Sequence, residues 1–213
     1  APLRRVLLAF ALSNPKVGYC QGLNFVAALL LVATSLDEER SFWLLCALSE
    51  TVCPGYYEPS MAGLREAQEA FGSLLPAVLP QLAAHLEALG MPLSFVTTNW
   101  FMTLFSNALP SEAALRVWDV LFIDGPAVLH LVAAALMRYG ATELMRARSM
   151  PEVAEVLSAL GREEWDADAL LAAAAFRGAG RRQRARVKAL RRESALATAR
   201  RRDRGLGAVA GLA

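Results

Sequence analysis

The chain has 213 residues, 55% of them hydrophobic, with a formal net charge of +2 and a mean hydropathy of +0.34, which suits one large or two small domains with a sizeable core. That hydrophobicity leaves a well-packed globular protein or a membrane protein. The membrane alternative fails on length, because the longest strictly apolar run, Phe25 to Ala33, has nine residues against roughly 20 for a bilayer span.

Apolar residues recur at helical spacing almost throughout and no stretch alternates as a half-buried strand would, so the chain reads as all-α. The first helix spans about Pro2 to Ser13 and stops at Ser13-Asn14-Pro15, since proline lacks the N–H and biases the preceding residue away from the α region. Next comes Gly18-Tyr19-Cys20-Gln21-Gly22-Leu23-Asn24, which sets an amide side chain between glycines where an apolar helix, about Gln21 to Ser35, begins. Gln21 thus sits at the rim of a buried helix, with glycines that tolerate close backbone approach on both sides. A turn-forming or helix-start role for Gln21 is the plain alternative. A helix from Glu38 to Val52 follows behind a Ser35-x-x-Glu38 capping box, then a loop over Cys53 to Pro59.

Further helices are expected at about Met61 to Leu74, Ala77 to Leu89, Ser94 to Ser106, Ser111 to Ile123 and Ala127 to Met145. Ser149-x-x-Glu152, with Pro151 just inside, marks another start that closes at Gly161. The last two helices are about Ala167 to Phe176 and Arg181 to Arg202, and the uncharged residues after Arg204 read as a disordered tail. Residues 177–204 carry 12 of the 22 basic side chains and only two acidic ones, so a basic C-terminal segment is joined to an acidic body. Cys20, Cys46 and Cys53 form no C-x-x-C pair and leave an odd number, which indicates neither a disulfide framework nor a zinc site and fits a reducing cytosol. His85 and His130 stand apart and read as ordinary helix residues. No signal peptide is recognisable at the start.

Downstream of the glutamine run stand Asn99-Trp100-Phe101-Met102-Thr103-Leu104-Phe105 and Leu115-Arg116-Val117-Trp118-Asp119-Val120-Leu121-Phe122, then Gly125. Together these resemble the TBC domain of Rab GTPase-activating proteins, whose marks are a Tyr-Cys-Gln-Gly-x-Asn run and, later, an Arg-x-Trp-Asp run ahead of a glycine. The helix at Leu3 to Phe10 and the acidic-then-apolar stretch Asp166 to Phe176 resemble further parts of that domain. The resemblance implies an all-α, multi-helix TBC fold over residues 1–203. The family's first motif, Ile-x-x-Asp-x-x-Arg, is absent and would lie upstream of Ala1, so the expectation is a domain lacking its N-terminal part and, with it, the arginine finger.

Hydrolysis of GTP by a small GTPase is limited by positioning of the attacking water and by charge developing on the phosphates. By resemblance Gln21 is a glutamine finger acting in trans on a Rab, and so a regulator of vesicle traffic rather than an enzyme with its own substrate. The amide suits this, because its oxygen can accept from the water while its N–H₂ donates to phosphate oxygen or switch backbone. An arginine would add about 10³ to 10⁵ in rate, roughly 4–7 kcal/mol of barrier; Arg4 and Arg5 read instead as solvated helix residues.

Tyr19, Gly22 and Asn24 are expected to hold Gln21 in place, Tyr19 as packing and Asn24 as a hydrogen-bonded helix-start residue. Arg116 and Asp119 can pair across one turn, either as a wall of the GTPase groove or to lock a helix whose Leu115, Trp118 and Phe122 face the core. Asn99 and Trp100 either edge the groove or belong to an aromatic core stripe. No Gly-x-x-x-x-Gly-Lys loop occurs, so GTP and Mg²⁺ are expected to belong to the partner, and no cofactor or metal is expected in this chain. Two rivals stand beside this reading. One is a Rab-binding scaffold that accelerates nothing. The other is an anionic-membrane binder working through the basic segment, peripheral on endomembranes and otherwise cytoplasmic. Nucleic acid is not an expected partner, because no stacking aromatics interleave the arginines, and docking of the basic helix on the acidic body is its simplest role.

Overall fold

Helical periodicity is realised as eleven α-helices, with no strand among the described residues. The computed structural model describes residues 1–174 apart from 162 and 164, together with the isolated positions 185 and 189. The expected basic helix at 181–202, those two positions aside, and the tail at 204–213 lie outside the described residues. None of the described helices is long and apolar enough to cross a membrane.

Helix α1 (Pro2–Ser13) ends where Asn14 donates its N–H to Phe10. Helices α2 (Leu23–Ala33) and α3 (Glu38–Cys46) pack with α1 into an N-terminal group. Gln21 falls before α2 rather than within it, because Gly22 at the helix start has a φ of 104°. The expected capping box at Ser35 does not form. Ser35 and Leu36 take φ values of 56° and 66° while the Leu36 N–H closes back on the Leu31 carbonyl at 2.7 Å, a tight helix exit. Asp37 caps α3 instead, its carboxylate accepting from the Arg40 N–H at 2.9 Å. Beyond Cys46 the helix continues not as α but as a π-helical segment, Ala47–Val52.

Helix α4 (Ala62–Val78) passes its expected end at Leu74 and carries Pro76 inside its last turn. Helix α5 (Pro80–Ala88) follows, and α6 (Leu93–Met102) ends four residues before the expected Ser106. Leu104 and Phe105 there take left-handed φ values of 49° and 65°, which turns the chain and buries both side chains completely. Helix α7 (Ser111–Asp124) buries Ala114, Val117, Trp118 and Leu121, one stripe at i, i+3, i+4 and i+7. The expected face was rotated from this, for Phe122 is 38% exposed.

The single helix expected from Ala127 to Met145 is divided at Gly140 into α8 (Ala127–Tyr139) and α9 (Ala141–Arg146), where Leu160 of α10 (Met150–Leu160) packs against the bend. Ser149 caps α10 and Asp166 caps α11 (Ala167–Ala173). Helix α8, buried from Val128 to Met137, is the axis on which α4, α6, α7 and α11 pack. Within it His130 is fully buried, its ring nitrogens 3.1 Å from the Pro126 carbonyl and 3.0 Å from that of Ala67 in α4. Helix α7 also touches α2 and the π segment, joining the two groups.

Candidate functional site

The turn that carries Gln21 is built on Asn14. Its carbonyl accepts from the N–H groups of Val17 at 3.1 Å and Gly18 at 2.8 Å, and Gly18 then reverses the chain with a φ of 61°. Cys20 points inward, is 8% exposed, and has its thiol pushed toward the neutral form by burial. Gln21 points outward and is exposed; among the described residues its side-chain amide has no hydrogen-bond partner. Gly22 lies flat against the end of α6, so that a Cβ there would stand 3.3 Å from the Met102 carbonyl oxygen. Asn24 is half-buried and accepts from the Gly22 N–H at 3.3 Å. Tyr19 is 60% exposed rather than packed beside the loop, since its neighbour Cys20 takes the inward position.

The segment just past α6 links the two sequence motifs. The Tyr57 hydroxyl donates to the Met102 carbonyl at 3.0 Å, and the indole N–H of Trp118 donates to the Leu104 carbonyl at 2.7 Å. Both donors are buried, and burial raises the Tyr57 phenol well above its usual pKa, so it stays a donor. The glutamine loop and the Arg-x-Trp-Asp run, nearly a hundred residues apart, are therefore seated two residues from one another, on Met102 at the end of α6 and on Leu104 just beyond it. Nothing in the spacing of either motif revealed Met102 or Tyr57 as the seat.

Arg116 and Asp119 pair at 3.3 Å, and Arg116 also reaches Asp168 of α11 at 2.7 Å. Asp168 contributes most to holding the guanidinium in its charged form. All three side chains are solvent-exposed, and among the described residues the hydrogen bonds of Arg116 go to these two carboxylates, which ties α7 to α11. The sequence placed Asp168 in the acidic-then-apolar stretch but gave it no role, because it meets Arg116 only through the fold. Trp100 is buried at 5% and belongs to an aromatic cluster with Phe105 and Phe101. Asn99 is exposed; with Trp100, Phe95, Asn107 and Leu157 it lines a cavity of about 290 Å³ between α6 and α10. Arg5 pairs with Glu38 at 2.8 Å and 2.5 Å, and its hydrogen bond draws the Glu38 carboxyl below the usual range. No group of three or more His, Cys, Asp or Glu side chains among the described residues could hold a metal.

A family model described as the Rab-GTPase-TBC domain matches residues 1–145. The growth hormone-regulated TBC protein 1 of Xenopus tropicalis is 38% identical over 166 residues, which cover 78% of this chain and 48% of the relative. The human protein of that name is 42% identical over 153 residues, covering 72% and 45%. The chain thus spans about half the length of these relatives. Among solved structures, the Chlamydomonas flagellar RabGAP TBC domain superposes with a TM-score of 0.76 at 35% identity, covering 84% of this chain and 59% of that one.

Proposed function

The chain belongs to the Rab-GTPase-TBC domain family, and from that premise we propose that it is a GTPase-activating module for Rab-family GTPases that supplies Gln21 in trans. The observation that carries this reading is the exposed amide of Gln21 on a backbone pressed against Met102 at Gly22. A group that must order a water needs a fixed backbone and a free side chain, since misplacement by about 1 Å costs up to 10²-fold in rate. The amide oxygen accepts from the attacking water and the N–H₂ donates to phosphate oxygen or switch backbone, doing the work of the GTPase's own glutamine. GTP and Mg²⁺ come with the partner. Tyr19, Asn24, Asn99, Arg116 and Asp119 would border or support the contact. By shortening the lifetime of a GTP-bound Rab the module would regulate vesicle traffic from the cytoplasm.

Single-turnover hydrolysis across a panel of GTP-loaded Rab proteins tests the proposal. The unaltered chain is expected to bind at least one Rab and stimulate it weakly, with full stimulation when an arginine finger is supplied alongside, and Gln21→Ala to bind equally and remove most of the stimulation in either case. Full stimulation by the variant ends the glutamine assignment; binding without stimulation by the unaltered chain makes it a scaffold.

A further inference from the structure

The loop that presents Gln21 is held at its far end by Gly22 on Met102, whereas its near end is tied to another element through a side chain: Asn14 donates its amide N–H to Glu50 at 2.9 Å. Asn14 is also the residue whose carbonyl closes the turn onto Val17 and Gly18, so the tie and the base of the loop share one residue.

Glu50 lies in the π-helical segment Ala47–Val52. Glu38, which faces α1 through Arg5, stands twelve residues earlier; in an unbroken α-helix of 3.6 residues per turn the two would point about 120° apart. The wider i→i+5 turn winds less per residue and brings Glu50 back toward the side that α1 occupies. Ser49, next to Glu50 in this segment, is buried with its hydroxyl unpartnered among the described residues. The wider turn thus coincides with a side-chain tie between α3's extension and the start of the glutamine loop.

We infer that Glu50 is a positioning residue for Gln21, acting through Asn14, and that the π segment exists to aim it. The inference rests on the reading of Gln21 given above. It makes the loop a span fixed at both ends, with Gln21 one residue from the rigid anchor and seven from the adjustable one. Glu50 touches neither the GTPase nor the nucleotide; it sets how often the amide occupies its working position.

Two measurements test this, and only one depends on activity. In amide hydrogen exchange, Glu50→Ala is expected to speed exchange at Val17 and Gly18 by about tenfold while leaving α2 unchanged, and Glu50→Gln, which keeps an acceptor oxygen, to restore the native rates. In single-turnover hydrolysis with the Rab that the unaltered chain stimulates most, Glu50→Ala is expected to lower the maximal rate about tenfold with affinity unchanged. Adding Glu50→Ala to Gln21→Ala is expected to cost nothing more, because the tether acts through the amide. Unchanged loop exchange in Glu50→Ala overturns the inference, as does an undiminished rate in a protein where Gln21→Ala is damaging, or a further loss in the double variant. If Gln21→Ala leaves stimulation intact, the glutamine assignment fails and this inference fails with it as a catalytic statement; accelerated exchange in that case would show a tether without a finger.

Discussion

Gly22 carries two separate constraints, a φ of 104° and a Met102 carbonyl oxygen 3.3 Å from where a Cβ would stand. Gly18 carries only the first, with a φ of 61° and nothing within 4 Å of its Cβ position. Left-handed backbone costs an alanine about 1–2 kcal/mol, so Gly18→Ala is expected to lose about that much in urea denaturation. Gly22→Ala should lose more, about 2–3 kcal/mol, because strain and crowding add. Equal losses would show that Met102 gives way. Trp118 is the other residue whose role is local and decisive: Trp118→Phe keeps the apolar bulk but orphans the buried Leu104 carbonyl, and a loss of about 1–3 kcal/mol is expected. Gln21 stands opposite to both. Truncating its exposed amide is expected to leave stability within about ±0.5 kcal/mol, so that any lost stimulation in Gln21→Ala reports function rather than folding.

At the scale of elements, the helix starts divide into those that side chains near in sequence settle and those they do not. Ser149 accepts from the Glu152 N–H at 3.5 Å, and Glu152 returns the contact by accepting from the Arg148 N–H at 2.9 Å and the Ser149 hydroxyl at 3.0 Å. Those bonds, the Arg148 one first, draw the Glu152 carboxyl below its ordinary pKa. A carboxyl depressed in the folded state contributes stability that is fully present above its unfolded value, about 4.3, and is lost as pH falls through the folded value. Acid titration followed at α10 by NMR should therefore show this cap weakening below about pH 4.3, and Glu152→Gln should remove that dependence. At α3 the cap is Asp37, so Asp37→Ala is expected to cost about 1 kcal/mol and Ser35→Ala close to nothing. The reverse order would restore the capping box that the sequence suggested and the left-handed Ser35 forbids.

Over the whole molecule, charge is divided between an acidic body and a segment with 12 basic and two acidic side chains in residues 177–204. Binding to anionic vesicles is expected to weaken steeply between low and physiological salt, as exposed charges are screened over about 8–10 Å; binding that salt leaves untouched would point to apolar insertion instead. The same scale separates what the sequence could say from what it could not. Helical period, Pro15, Gly22 and the Ser149 cap act within a turn or two of themselves, so the all-α class, the end of α1, the stretch holding Gln21 and the Arg116–Asp119 pair were legible from residue order alone. Tertiary contact decided the rest. Whether Ser35 or Asp37 caps α3, whether α6 runs past Met102, and whether α8 and α9 are one helix depend on which side chains the assembled core can bury and which turns it then forces. The partners that seat and tether the candidate loop, Met102, Tyr57 and Glu50, and the Asp168 that reaches Arg116, are tens of residues from what they touch. Local sequence determines which conformations a segment prefers; only the closing of the chain on itself determines which distant groups meet.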